Sequence, residues 1–133
     1  MAPRADVQLA TMLCVGDLER SLAFYLTLGL SLVDSEDDIA LLTIGGAGWL
    51  YLFLESPPTP DKPALYLAPP GPDAHPSVIL VLRVADARAS YDEFRRRGVE
   101  FLTPPQSPPW GGWRCFARDP DGFVIEVEDH PGT

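Results

Sequence analysis

Apolar positions in this chain follow two rhythms. Leu18, Leu22 and Tyr25 stand at i, i+4 and i+7, and so do Ala87, Tyr91 and Phe94. That spacing gives a helix one apolar face. Asp17 and Asp86 precede the two segments, where a carboxylate can accept from the free N–H groups of a first turn. Gly29 and Gly98 follow them, fitting the left-handed residue beyond a last turn. Each segment predicts a capped helix of about three turns. The other apolar runs are short and rich in β-branched and aromatic residues, which predicts strands. They are Val7 to Val15, Leu30 to Val33, Ile39 to Ile44, Trp49 to Leu54, Val78 to Val84, Val99 to Leu102, Trp113 to Ala117 and Phe123 to Val127. Asp119-Pro120-Asp121-Gly122 marks a turn between the last two.

The two helices belong to an internal repeat. Val15, Asp17, Ser21, Tyr25, Gly29 and Leu30 recur as Val84, Asp86, Ser90, Phe94, Gly98 and Val99, each 69 positions later. Such self-similarity outranks local signals in fixing the architecture. Each copy reads β-α-β-β-β. The chain is therefore expected to be α+β, with two tandem βαβββ modules forming a curved mixed sheet around a cleft and helices outside. Module one is expected over about 7–56 and module two over about 77–129. Many of the 15 prolines fall between them, in 57–76, or in the run 104–109. Proline joins neither a central ladder nor a helix interior, so both stretches read as loops, the first as a linker. Ala64 to Ala68 could form a short extended piece within it. All 133 residues fit a single domain.

Charge narrows the partners. A net charge of −9 would repel a phosphate backbone, so nucleic acid is not expected. The one basic cluster, Arg95-Arg96-Arg97, sits late in the second helix and complements its dipole. There is no apolar run of membrane-spanning length, and residues 1–6 lack a secretory leader, so a cytoplasmic protein without a membrane role is expected. Cys14 and Cys115 form no CxxC pair and read as small apolar strand residues. Gly45-Gly46-Ala47-Gly48 reads as a turn, lacking the Lys-Ser/Thr of a phosphate-binding loop. His75 and His130 both stand beside prolines, and no Ser-His-Asp arrangement suggests itself.

Two stretches carry a family likeness: Val15-Gly16-Asp17-Leu18-Glu19-Arg20-Ser21-Leu22-Ala23-Phe24-Tyr25 with Leu28-Gly29-Leu30, and Asp119-Pro120-Asp121-Gly122-Phe123-Val124-Ile125-Glu126. With the duplicated β-α-β-β-β order, the chain resembles the vicinal oxygen chelate superfamily, which includes glyoxalase I, extradiol dioxygenases and bleomycin-resistance proteins. Enzymes of that superfamily hold a divalent metal with two side chains per module. The resemblance maps those positions to Ala10, Ile79, Glu126 and, if Gly48 is aligned with Gly122, Leu52. Only Glu126 could donate, so neither metal nor other cofactor is expected. Glu55 has the wrong parity relative to Leu52. A displaced site along Glu126, Glu128 and His130 is the alternative.

The stretch from Pro109 to Phe116 further resembles the bleomycin-resistance branch, whose cleft, shared between two subunits, sequesters a planar antibiotic. This implies a homodimer and a small-molecule ligand. Trp110, Trp113, Arg114, Phe116 and Glu126 are the expected ligand-binding residues. Met12 and Cys14 join them because they share parity with Ala10, as Val81 and Arg83 do with Ile79. Trp49, Tyr51 and Phe53 form one face of their strand, for which core packing is the simpler expectation. The functional expectation is a metal-independent small-molecule binding protein that sequesters an antibiotic or other aromatic molecule, with no catalytic residue. A glyoxalase-like lyase or dioxygenase with a displaced metal is the alternative.

Overall fold

A computed structural model of the chain describes residues 7–45, 48–71, 73 and 75–130. The turn residues Gly46 and Ala47 and the terminal residues 1–6 and 131–133 lie outside this set. The elements are β1 (Thr11–Val15), α1 (Leu18–Thr27), β2 (Ser31–Ser35), β3 (Ile39–Ile44), β4 (Gly48–Leu54), β5 (Leu80–Arg83), α2 (Ala87–Arg96), β6 (Arg114–Arg118) and β7 (Val124–Glu128). The first half builds a sheet of order β1-β4-β3-β2, and the second half a sheet of order β5-β7-β6. In each, the strand before the helix pairs in parallel with the last strand: β1 with β4, β5 with β7. The chain is α+β, and neither sheet closes into a barrel.

Both helices form as their caps predict. Asp17 accepts from the Arg20 amide at 3.0 Å, and Asp86 from the Ala89 amide at 3.1 Å. Gly29 and Gly98 take φ of +98° and +93°, a conformation that favours glycine because it has no β-carbon. The shared helix face turns inward: Tyr25 and Ser21 of α1, and Ala87 and Phe94 of α2, are buried. One cluster of buried residues spans both halves, from Leu13, Val15, Leu42 and Leu52 to Cys115, Ile125 and Val127.

Three expected strands are shorter than their apolar runs: β5 covers only Leu80–Arg83 of Val78 to Val84, and two others fall further short. Val7 to Ala10 lies outside β1, and the run from Val99 to Leu102 contributes only a bridge between Phe101 and Ala117. There the Leu102 amide donates to the Phe116 carbonyl, but the Phe116 amide turns to the Thr103 hydroxyl at 3.2 Å. Pro104 and Pro105, lacking amide hydrogens, cannot extend the ladder.

The halves are tied by the turn before β7. Tyr25 on α1 donates from its hydroxyl to Asp119 at 2.6 Å, and both are buried. Asp119 also accepts from the amides of Asp121 and Phe123. Asp121 accepts from the Gly16 amide at 2.9 Å and the Ser21 hydroxyl at 3.1 Å, and pairs with Arg20 at 3.3 Å. On the other side, the Arg97 guanidinium donates to the Thr27 carbonyl at the end of α1.

Tyr25→Phe should therefore destabilise the fold by roughly 1–3 kcal/mol, because Oδ2 of the buried Asp119 carboxylate loses its donor while the two amides hold only Oδ1. Urea denaturation checks this, and a loss below about 0.5 kcal/mol would show the bond to be dispensable.

Candidate functional site

Strand alternation gives each sheet one face under the helices and one open face. In the first half, Leu13, Val15, Ala40, Leu42, Leu50 and Leu52 are buried beneath α1. The register sets Met12 beside Tyr51 and Cys14 beside Phe53, with Leu41, Ile39 and Thr43 across from Tyr51, Phe53 and Trp49. All these occupy the open face and stay partly exposed. Trp49, Tyr51 and Phe53 thus do not pack into the core, contrary to the simpler expectation. The buried face of β4 belongs to the alternate residues Leu50 and Leu52.

This register also corrects the alignment of the two halves. Glu126 stands across from Val81, and the counterpart of Val81 one repeat earlier is Met12. Met12 stands across from Tyr51, so Tyr51, not Leu52, matches Glu126. The glycine alignment was one residue off, and in a strand a one-residue slip changes the face. Glu55, dismissed by its parity with Leu52, accordingly shares the open face with Tyr51 and Phe53.

In the second half, the open face carries Val81 and Arg83 of β5, Glu126 and Glu128 of β7, and Arg114 and Phe116 of β6. Arg114 is the centre of this group. Its guanidinium lies 4.8 Å from the Trp110 ring centroid, 5.3 Å from that of Phe116 and 3.9 Å from Glu126. Trp110 is 62% exposed, so its indole is a large aromatic surface in solvent. Gly111 and Gly112, at φ +93° and +70°, set the loop that presents it. A β-carbon at Gly112 would stand 2.4 Å from the Asp129 carbonyl oxygen.

Asp129 anchors the loop's far end. Its carboxylate accepts from the Trp113 amide at 2.8 Å and from the Ala87 amide at the start of α2 at 2.7 Å. Trp113 itself is not part of the open face. It alternates with the fully buried Cys115 and Ala117, and Arg88 of α2 lies 4.4 Å from its ring centroid. The expectation that it joins Arg114 and Phe116 is corrected by that alternation.

Glu126, Glu128 and His130 follow one another along one side of β7, and the His130 ring meets the Glu128 carboxylate. The Glu126 side chain is only 12% exposed. Burial first, and then its hydrogen bond with Glu128, raises its carboxyl above the ordinary value. Glu128 is shifted down: its slight burial opposes this, but Glu126 and His130 outweigh it. Glu126 is thus the member of the pair that holds a proton more readily. The thiols are poor nucleophiles near neutral pH. Burial, then Asp129 and Glu126, pushes Cys115 up to about 11, and burial, then Glu55 and Asp121, raises Cys14.

Met12 and Cys14 stand on the first sheet, and Trp110, Arg114, Phe116 and Glu126 on the second. A crevice of about 160 Å³ lies between the halves, where Trp49 and Val81 are its open-face residues and Thr11, Leu50, Leu80 and Leu82 line it from the core side of their strands. A second groove, of about 300 Å³, lies on the first face among Asp34, Glu36, Ile39, Leu41 and Tyr51. Tyr51 carried no signal in the sequence beyond its parity with Trp49 and Phe53.

The geometry defines a duplicated domain, βαβββ in the first half and βαββ with one added bridge in the second, with a helix-free surface on each sheet. Residues 8–127 match the Glyoxalase/Bleomycin resistance protein/Dioxygenase superfamily, and the chain belongs to it. Solved structures agree. A glyoxalase-related enzyme from Fulvimarina pelagi is 25% identical, with a TM-score of 0.75 over 93% of this chain and 88% of that one. A glyoxalase/bleomycin resistance protein/dioxygenase from Nocardioides is also 25% identical, with a TM-score of 0.73 over 98% and 89%. A bleomycin resistance determinant encoded on the transposon Tn5 shares the fold at 23% identity, with a TM-score of 0.68 over 94% and 99%. No curated protein matches the sequence.

The superfamily's metal can be tested against the residues at its four positions, which are Ala10, Tyr51, Ile79 and Glu126. Ala and Ile have no donor atom, and a phenol and one carboxylate fall short of the three or more donors that a stable site needs. Among the described residues, no three His, Cys, Asp or Glu side chains group to hold an ion. The residues do not fit the metal.

Gly112→Ala should cost about 1–3 kcal/mol, since the residue needs positive φ and has no room for a methyl group. Urea unfolding and the emission of nearby Trp110 check this. Unchanged stability and emission would show that the loop tolerates a side chain there.

Proposed function

We propose that this protein is a metal-independent small-molecule binding protein that sequesters an aromatic ligand, an antibiotic being the leading class. The observation that carries this reading is the cluster on the second open face, in which the Arg114 guanidinium lies 4.8 Å and 5.3 Å from the Trp110 and Phe116 ring centroids and 3.9 Å from Glu126. The exposed indole offers a planar molecule a wide, stiff surface. Arg114 and the Glu126–Glu128 pair offer polar groups that can orient it. The aromatic first face supplies apolar area, with Met12, Tyr51 and Phe53 as further contacts. Support also comes from the fold shared with the bleomycin resistance determinant. On this reading the acting form is a homodimer, and the exposed Met12 and Val81 on the open faces suit burial by a second copy or by ligand.

Titration with bleomycin and other planar antibiotics, followed by tryptophan fluorescence, tests the reading. A micromolar response is expected, and Trp110→Ala should weaken it by roughly 1–3 kcal/mol, as for an aromatic anchor. A panel that leaves the emission unchanged, or binding indifferent to Trp110→Ala, would overturn it.

The second reading is an enzyme of the glyoxalase or dioxygenase type with a displaced metal. The row of Glu126, Glu128 and His130 along β7 favours it. Elemental analysis after incubation with nickel, zinc, manganese or iron(II) and desalting separates the two. The binding-protein reading expects no retained metal, and about one ion per chain would favour the enzyme.

A further inference from the structure

The proline-rich segment between the halves is ordered by its own contacts. Ser56 and Leu67 pair as an antiparallel bridge, with both backbone hydrogen bonds at 2.9 Å. Within the loop so closed, Lys62 is the chain's sole lysine. Its ammonium donates to three backbone carbonyls: Ser56 at 3.2 Å, Pro57 at 2.5 Å and Leu65 at 3.2 Å. An ammonium has three protons and no acceptor, so three converging carbonyls satisfy it fully. Prolines at 57, 58, 60 and 63 stiffen the chain around it. The loop then returns to the sheet, where the Tyr66 hydroxyl donates to Glu55 at 3.0 Å. Glu55 follows the end of β4, two residues beyond Phe53, which is the register partner of Cys14, and its charge acts on the Cys14 thiol. Tyr66 is itself 55% exposed, an aromatic ring held by its hydroxyl yet largely uncovered.

From these contacts we propose that residues Ser56–Leu67 form a preformed strap that closes one end of the first open face, with Lys62 as its lock and Tyr66 as a specificity-determining residue. The strap rests on the binding-protein reading for its purpose but not for its existence. Tyr66 and Glu55 together offer a ring face beside a carboxylate. That pair suits a flat ligand bearing a hydrogen-bond donor such as an amine, which would take the place of the Tyr66 hydroxyl on Glu55.

The test uses Cys14 as a reporter of the strap and Cys115, fully buried, as a reporter of global unfolding. The full-length protein is labelled with iodoacetamide and the modified thiols are identified by mass spectrometry. In Lys62→Met, which keeps the aliphatic stem, Cys14 labelling should rise by roughly tenfold while Cys115 stays protected, as when a local closure loses charge-assisted hydrogen bonds. Tyr66→Ala should raise it too, and this variant decides the matter if Lys62→Met also exposes Cys115. Unchanged Cys14 labelling in Tyr66→Ala, or in a folded Lys62→Met, would overturn the strap. Because no ligand enters this experiment, a rise in labelling together with a failed antibiotic titration would reject the proposed function and leave the strap standing.

Discussion

The arrangement of the two halves depends on two carboxylates in one turn, Asp119 and Asp121. A buried carboxylate is costly unless its oxygens are met by donors. Asp119 meets the Tyr25 hydroxyl and two amides, and Asp121 meets the Gly16 amide, the Ser21 hydroxyl and the Arg20 guanidinium. The donors on α1 and those in the turn belong to different halves, so the carboxylates are satisfied only when β7 and α1 are docked. Hydrophobic burial is non-directional and could tolerate a slide of one sheet against the other. These bonds do not. The orientation they set lets one buried cluster run through both halves.

The same chemistry acts locally in the second half, where Asp129 joins the start of α2 to the start of β6. The repeat is thus not symmetric in its energetics. In the first half the carboxylate that reaches the helix start beside the cap residue comes from the other half, and in the second it comes from the adjoining strand end. This asymmetry leaves the loop between residues 107 and 112 hung on Asp129, with Trp110 turned outward over Arg114. A glycine at 112 is the geometric condition for that approach, because any β-carbon would meet the Asp129 carbonyl.

The candidate site follows from alternation along strands with unequal chemistry. The first open face is aromatic and aliphatic, with acids at one edge. The second holds two arginines, two glutamates and a histidine among aromatic rings. Replacing donors by Ala10 and Ile79 removes a metal's coordination and leaves apolar surface in its stead. Neither thiol is poised for nucleophilic chemistry, since burial and carboxylates hold both protonated.

Much of the fold was legible because its signals are local. Helix caps at Asp17 and Asp86, glycines at 29 and 98 and the period of the apolar residues need only neighbours in sequence. The repeat of 69 residues added the duplication of the unit, and the likeness to a family added the fold class. The site was partly legible: Arg114, Phe116, Glu126 and Trp110 do meet. Trp113 and Leu52 fell on the wrong face, because parity must be counted from a known register, and hydrogen bonding across strands sets that register. Tyr66 and Glu55 were out of reach for a different reason. They meet because a proline-rich loop closes on itself where Ser56 pairs with Leu67, a closure that no periodicity announces. Sequence alone determined the elements and their duplication, since short-range sterics and capping govern both. Only the tertiary structure decided which residues share a surface, because strand register and the docking of the two halves arise from contacts between residues far apart in the chain.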